Sequence, residues 1–159
     1  MRTFGHIVTS AGIGLASYLR YRSRPAAVAS FLAGWLIDLD HIVDYVWAHG
    51  WKLNWSRVNE AEHERYSGRL YLPLHSYELL ALFFLLFRGP KRQPYRVGIT
   101  LSILMHLLLD QKCNPSRKPL TYFLADRIRK RFDAAKILGT QHQVPAVVPA
   151  VVPVETDLA

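Results

Sequence analysis

The 159-residue chain contains a single cysteine, Cys113, which excludes an internal disulfide and a metal cluster held by several thiolates. It has no run of about 18–20 apolar residues free of charge, the usual mark of a membrane-spanning helix. No stretch alternates apolar and polar residues as half-buried strands do. We therefore expect helices, and any bound metal must be held by nitrogen and oxygen ligands.

The chain also has few acidic residues, 12 against 20 Lys and Arg, which gives a formal net charge of +8. This balance permits anionic lipid, nucleic acid or phosphorylated substrates as partners and selects none of them. Basic residues concentrate in the breaks between apolar runs. Acidic residues instead lie inside or at the ends of apolar runs, namely Asp38, Asp40, Asp44, Glu78 and Asp110. Acids within helices and bases between them favour a cation site.

Apolar runs bounded by Pro, Gly and charge predict four helices, over residues 6–19, 26–47, 74–87 and 95–110. Because short connections favour antiparallel neighbours, the expected fold class is all-α, an antiparallel four-helix bundle. A fifth helix over residues 120–138 would be basic and amphipathic, since its apolar residues share one stripe. These residues are Phe123, Leu124, Ile128 and Phe132.

The expected organisation is a single helical metal-binding domain over residues 1–138. Residues 48–70 are polar and rich in Trp and charge, and we expect them to form an excursion over the site. Residues 139–159 carry repeated Val, Pro and Ala and predict a disordered tail.

Helix order brings the polar residues of the apolar runs to one end of such a bundle. His6 opens the first helix, residues 38–44 close the second, His75 and Glu78 open the third, and His106 closes the fourth. Helices of alternating direction place all of these residues at the same end. Burying unpaired charge there costs several kcal/mol, and one divalent cation satisfies several carboxylates and imidazoles together.

Local spacing supports shared ligation. His106 and Asp110 are four residues apart, and Asp38 and His41 are three apart, so each pair shares a helix face. His75 and Glu78 have the same spacing of three. Asp40 lies off the face of Asp38 and His41 in a regular helix. It would therefore ligate a second metal, orient a ligand, or turn toward the face of Asp44.

Each motif also has an explanation without metal. A lone His such as His6 is often a hydrogen-bonded core residue, and His106 with Asp110 could form a buried pair. Glu78 could simply favour the positive end of a helix dipole. Three polar groups in Asp38-Leu39-Asp40-His41 are harder to satisfy in this way, because each needs its own partner on an apolar helix. His63, in the excursion, is a candidate additional ligand.

These residues resemble the predicted bacterial membrane-bound metal-dependent hydrolases. That family carries an N-terminal His, an Asp-x-Asp-His motif, a downstream His-Ser and a His-x-x-x-Asp that ends an apolar helix. The matching residues here are His6, Asp38-Leu39-Asp40-His41, His75-Ser76 and His106 to Asp110, within about residues 1–112. The chain departs at Ile37, where the family usually has Pro, and lacks a His-Arg pair just before His-Ser.

The scattered His and Asp residues are also similar in pattern to the zinc-dependent phospholipase C and single-strand nuclease superfamily. That likeness implies an all-helical phosphoesterase with several zinc ions, as an analogy of pattern. The resemblances together imply a metal-dependent hydrolase of a phosphoester that uses metal-activated water.

On this hypothesis, one to three divalent ions, with zinc favoured over manganese or iron, are held by His6, Asp38, His41, His75, His106 and Asp110. Asp40 and Glu78 are the candidate general bases. Arg65 and Arg69 are candidates for binding the negative charge of the substrate.

The alternative function is a non-catalytic, metal-stabilised module that binds anionic lipid, or less favourably nucleic acid, through the basic residues 112–136. The family resemblance implies the bacterial inner membrane, with the protein associated or embedded. The composition equally fits a compact bundle in the cytoplasm, so the location is left open between the two.

Overall fold

A computed structural model describes residues 3–51, 68–113 and 119–139 of the chain. Within these ranges the secondary structure is helical, with an isolated bridge between Arg69 and Asp133 and no strand. The expected all-α class is confirmed. The α-helices of these ranges, in chain order, are α1 (Thr3–Tyr21), α2 (Arg24–Leu36), α3 (Leu39–His49), α4 (Tyr77–Leu86), α5 (Gln93–Cys113), α6 (Leu124–Arg129) and α7 (Ala134–Leu138). Short 3-10 helices lie at Pro90–Arg92 and Pro119–Tyr122.

Helix α5 is central and packs against α1, α2 and α4. Small residues let the backbones of α1, α2 and α5 approach closely. A Cβ atom added to Gly98 of α5 would lie 1.9 Å from Oγ of Ser30 in α2, and one added to Gly34 of α2 would lie 2.4 Å from Oγ of Ser10 in α1. Ser102 of α5 is also a neighbour of Gly34, so α2 and α5 run in the same direction.

Helices α1 and α4 are both antiparallel to α5. His6, near the start of α1, contacts Asp110 near the end of α5, and Phe87, which follows α4, stacks on Tyr95 near the start of α5. The alternating directions agree with the predicted antiparallel order. The arrangement of a regular four-helix bundle is not confirmed, because α4 has its main helical contacts with α5 alone.

The predicted second helix is interrupted at Ile37 and Asp38, between α2 and α3. The amide N–H of Asp38 donates to the carbonyl of Trp35, and that of His41 donates to Asp38, which are the three-residue spacings of a tightened turn. Such a turn within a helical run often marks a functional position. The break places Asp38 at the N-cap of α3, where its side chain makes no capping hydrogen bond.

The predicted third helix begins later than expected, at Tyr77. Ser76 is the N-cap, and its hydroxyl accepts a hydrogen bond from the amide of Leu79. His75 therefore precedes the helix, and the expected helical face shared by His75 and Glu78 does not form. The cause is long-range, because the backbone around His75 is bonded to side chains of other elements.

The predicted fifth helix over residues 120–138 is not continuous. It is divided into a 3-10 turn, α6 and α7, because Arg131 and Phe132 adopt left-handed backbone angles with φ of 56° and 57°. Asp133 then caps α7 by accepting from the amide of Lys136. The expected apolar stripe is likewise not the buried face, since Ile128 is exposed and Arg127 is buried.

Two buried clusters separate the molecule into regions. The first joins the break after α2, α5 and the 3-10 turn before α6 through Ile37, Ile99, Ile103, Leu107 and Tyr122. The second joins the segment before α4 to α7 through Leu70, Leu72, Ala134, Ile137 and Leu138. The C-terminal segment is therefore packed onto the main body where the structure describes it.

Large apolar side chains cover much of the outer surface. No residue of α4 is buried, although the helix is almost wholly apolar, and Leu82, Phe84, Leu85 and Leu86 are exposed. The stretch Arg24–Trp47 is long and apolar enough to cross a membrane. Core helices of soluble proteins and signal sequences share these properties, so the stretch by itself is weak support for a membrane span.

Candidate metal centre

Four elements meet at the end of the molecule where the sequence predicts a metal. His6 comes from α1, Asp38 from the break before α3, His75 from the turn before α4, and His106 and Asp110 from α5. The i, i+4 spacing within α5 works as expected, because Oδ2 of Asp110 lies 3.5 Å from Nε2 of His106. The convergence that the sequence order predicts is thus observed.

The imidazoles of His75 and His106 point their Nε2 atoms at each other, 3.1 Å apart. Nδ1 of His106 lies 2.8 Å from the carbonyl oxygen of Gly34, which only accepts, so Nδ1 carries a proton and the neutral imidazole offers its lone pair at Nε2. Nδ1 of His75 lies 2.9 Å from Oδ1 of Asp40. A carboxylate or carbonyl behind each imidazole is the usual arrangement of metal-binding histidines.

Carboxylate oxygens surround the same point. Oδ1 of Asp38 lies 3.5 Å from Nε2 of His75 and 3.3 Å from Nε2 of His106. Oδ2 of Asp110 lies 3.3 Å from Nε2 of His75, and its Oδ1 lies 3.0 Å from Nε2 of His6. Lone pairs of nitrogen and oxygen atoms therefore converge in a buried space. Their mutual repulsion must be compensated by a bound cation or by protons shared between them.

The candidate ligands divide into two sets. Position A consists of His6, His106 and Asp110, which are all buried and each offer one atom within 4.8 Å of the others. The rings of His6 and His106 also stack, with centroids 3.9 Å apart. Nδ1 of His6 is buried and has no hydrogen-bond partner among the described residues. Position A is closed.

Position B consists of Asp38, His41 and His75, whose ligand atoms also lie within 4.8 Å of one another. Here His75 is buried, whereas Asp38 and His41 are half-buried, and the side chain of Asp38 is 26% exposed. The ring of His41 meets that of His75 edge-on at 4.9 Å. Position B is therefore the side of the centre that opens toward the surface.

The electrostatics of the centre favour positive charge. Burial alone would lower the pKa of His75, but the charge of Asp40 and hydrogen bonds to Asp110, Asp38 and Asp40 raise it well above its ordinary value. Mixed imidazole and carboxylate ligands of this kind suit zinc, manganese or iron. The residues present thus fit a divalent cation.

Asp40 is placed behind His75 rather than beside the ligand atoms. Its Oδ2 accepts hydrogen bonds from the amides of Leu74 and His75, and its Oδ1 faces Nδ1 of His75. Of the three roles considered for Asp40, these contacts support the orientation of a ligand. A role as general base stays a prediction.

Glu78 is engaged elsewhere. Its two carboxylate oxygens accept hydrogen bonds from the amides of Leu124 and Ala125 at 2.9 Å, so it caps the start of α6. Although burial works in the opposite direction, these bonds lower the pKa of Glu78. The contacts weigh against the predicted role as a general base, which no observation tests directly.

Of the three candidate residues that the sequence places in the excursion, the structure describes only Arg69. His63 and Arg65 lie outside the described residues, as does most of the predicted excursion. Arg69 is described and exposed, and its guanidinium donates to the hydroxyl of Tyr71 at 3.1 Å. Substrate binding by Arg69 stays a prediction.

The sequence did not indicate the roles of Asp44 and Arg127, which hold the segment that carries His75. Asp44 accepts from the amides of Tyr71 and Leu72, while Arg127 donates to carbonyls of the same segment. Arg127 follows Leu124 by three residues, so a cation interrupts the predicted apolar stripe, and this was the available signal.

No family model, no curated protein and no solved structure matches the chain.

Proposed function

We propose that the protein is a metal-dependent hydrolase that acts on a phosphoester. The observation that carries this proposal is the convergence of Nε2 of His75 and Nε2 of His106 with oxygens of Asp38 and Asp110 at 3.1–3.5 Å. A divalent cation satisfies all four groups together, whereas each additional shared proton satisfies only one pair. The family resemblance of the sequence supports the same activity.

Two ions fit the two ligand sets, one in position A and one in position B. Position A is closed and suits an ion that is held permanently. Position B has half-buried ligands, and an accessible coordination position is what distinguishes catalytic from structural sites. Divalent ions in such sites polarise the scissile group and favour ionisation of a water molecule.

The protein's own side chains have separable tasks in this scheme. Asp40 orients the imidazole of His75, and the carbonyl of Gly34 orients that of His106. Asp38 and Asp110 each approach both imidazoles, so they link the two positions. The net charge of +8 supports an anionic substrate, and Arg65 and Arg69 remain the candidates to bind it.

The first test is metal content, measured by mass spectrometry on protein purified without chelator and without a metal-affinity step. We expect up to two equivalents of zinc, manganese or iron per chain, and hydrolysis of bis(4-nitrophenyl) phosphate by the loaded protein. Asp38→Ala and His106→Ala should each lower metal content and abolish hydrolysis. Asp126→Asn is the matched control, since Asp126 pairs at 2.8 Å and 2.6 Å with Arg129 and Lys130 instead. Full metal content in both alanine variants would contradict the ligand assignment.

A second candidate function has its own support. His75 and His106 are almost completely buried, which is typical of structural metal sites, so a metal-stabilised module without catalysis is the alternative. Bound metal without hydrolysis of any phosphoester in a broad screen would favour it. Anionic lipid binding through residues 112–136 belongs to this alternative, and Arg127 would not take part because it is buried.

We further propose that the protein is embedded in a membrane, with Arg24–Trp47 as a spanning segment. The support is the inverted distribution of side chains. Ser10, Ser17, Ser30 and Ser102 are buried between helices, while Leu82, Phe84, Leu85 and Leu86 of α4 are exposed. An all-round apolar helix needs an apolar surrounding, and small residues at close helix contacts are common in membrane proteins.

The location is tested by fractionation of cells that express the protein. We expect the chain to stay in the membrane pellet after extraction with alkaline carbonate and to require detergent for solution. Release of the chain by carbonate, or its recovery in the soluble fraction, would instead support the cytoplasmic alternative.

A further inference from the structure

Arg127 is the most unusual charged residue of the C-terminal segment, because its side chain is 1% exposed. Its Nη1 donates to the carbonyl oxygens of Tyr71 and Leu72 at 2.5 Å, and its Nη2 donates to that of His75 at 2.8 Å. A guanidinium can bond several acceptors in fixed directions, which a lysine ammonium cannot do to the same extent. Arg127 thus binds the backbone that carries a predicted metal ligand.

The same backbone is held from its other side by Asp44. One carboxylate oxygen of Asp44 accepts from the amide of Tyr71 at 2.9 Å, and both oxygens accept from the amide of Leu72. Leu72 has φ of 39°, a left-handed conformation that is unfavourable for leucine and persists only where surrounding contacts enforce it. A buried anion and a buried cation therefore impose this turn.

The turn determines where His75 lies. His75 is three residues after Leu72 and precedes α4, so no helix of its own fixes its direction. Its amide donates to Asp40, its carbonyl accepts from Arg127, and its imidazole faces the ligand atoms of position B. The ligands of position A lie within α1 and α5 instead, away from this turn in the chain.

We propose that Arg127 is a positioning residue for position B, acting through the backbone of Tyr71 to His75, and that position A, whose own ligands lie on α1 and α5, depends on it much less. The inference rests on the metal centre of the proposed function. In this proposal the C-terminal segment takes part in metal binding and does not only provide a basic surface. Loss of Arg127 weakens the binding of one of the two ions far more than that of the other.

The experiment is a zinc titration of the full chain in detergent, by competition with a chromophoric chelator, together with cobalt(II) absorption spectra. Arg127→Met removes the donors at similar length, and Arg127→Lys keeps the buried charge in case the first variant does not fold. Arg129→Met is the control, because Arg129 lies on the same helix with its side chain 76% exposed. Circular dichroism verifies the fold of each variant.

We expect the wild-type chain and Arg129→Met to bind two ions with equal affinities in the two proteins. In Arg127→Met one ion should bind about 10–100-fold more weakly, as is usual when an outer partner of a ligand is lost. Arg127→Lys should fall between these values, with an altered cobalt spectrum.

Two results would overturn the inference. Equal weakening of both ions in the Arg127 variants would show a general structural role, and unchanged binding of both would show none. A wild-type chain that binds no zinc would instead remove the proposed function itself, and this inference with it, so the two failures are distinguishable.

Discussion

Positions A and B of the candidate metal centre lie side by side but are built differently. The ligands of position A belong to α1 and α5, which pack on α2 through small residues such as Ser10, Gly34 and Gly98. The ligands of position B lie in or next to a broken helix and a strained turn, which Asp44 and Arg127 hold. Regular helices place the first set, and long-range hydrogen bonds place the second.

This difference explains why one position is closed and the other half-buried. Helices that pack through serine and glycine leave little space between them, so position A is enclosed. The turn before His75 is held by Asp44 and Arg127, which are distant in sequence. It can therefore lie beside the break between α2 and α3 without covering that break. Asp38 lies at that break. Its carboxylate does not cap α3 and instead faces the imidazoles of His75 and His106.

Removal of metal should produce the largest change in stability, because both positions lose their compensating charge together. For an ion present at 1,000 times its dissociation constant, the loss is about 4 kcal/mol of unfolding free energy. We expect EDTA to lower the Tm of the protein, and zinc to restore it, in thermal scans followed by circular dichroism. Equal Tm values with and without chelator would contradict a metal in either position.

Substitution of Gly98 should next disturb the close packing of α5, the helix that carries two ligands of position A. In Gly98→Ala, the new Cβ would meet Oγ of Ser30 at 1.9 Å, so either this hydroxyl gives up its hydrogen bond to the carbonyl of Ala26 or α2 and α5 separate, at a cost of about 1–3 kcal/mol. Gly12→Ala is the matched control on the exposed face of α1, where a Cβ meets nothing within 4 Å. It should stabilise the helix by up to about 1 kcal/mol. A destabilised Gly12→Ala, or a neutral Gly98→Ala, would contradict this packing.

Much of position A could be predicted from the sequence. The four-residue spacing of His106 and Asp110 lies within an unbroken helix, and helix order brings His6 to the same end. The all-α class followed from apolar runs bounded by Pro and Gly. These inferences succeeded because they depend on local periodicity and chain direction, which the sequence expresses directly.

Position B could be predicted in its residues but not in its geometry. A regular helix was expected to carry His75, yet Asp40 and Arg127 bond the backbone there and delay the start of α4. The continuous C-terminal helix was wrong for a related reason, since two left-handed residues, Arg131 and Phe132, redirect the chain. The contacts that delay α4 join residues 35 and 52 positions apart, and no local pattern contains them.

Asp44→Asn should weaken the turn of position B with a smaller loss of stability. The amide oxygen can keep the bonds that Oδ2 accepts from Tyr71 and Leu72, but an NH2 group replaces Oδ1 and places a donor against the amide N–H of Leu72, at a cost of about 1–3 kcal/mol. We expect a lower Tm and weaker zinc binding at one position only, measured by chelator competition. Equal weakening at both positions would show that the two parts of the centre are not independent.

Glu78→Gln should have the smallest effect, because Glu78 joins α4 to α6 near the surface. The pKa of Glu78 is lowered from 4.5, since the amides of Ala125 and Leu124 outweigh the opposing effect of burial. A lowered pKa means that the carboxylate stabilises the fold above its ordinary pKa and loses this contribution as the pH falls through the lowered value. The Tm of wild type should therefore exceed that of Glu78→Gln at neutral pH, by the equivalent of about 0.5–1 kcal/mol. The gap should close as the pH falls below 4.5.

Because acid removes metal from both proteins alike, the difference in Tm between them reports on Glu78 alone. A gap that stays unchanged from neutral pH down to about pH 2 would mean that the link between α4 and the C-terminal segment does not depend on the charge of Glu78.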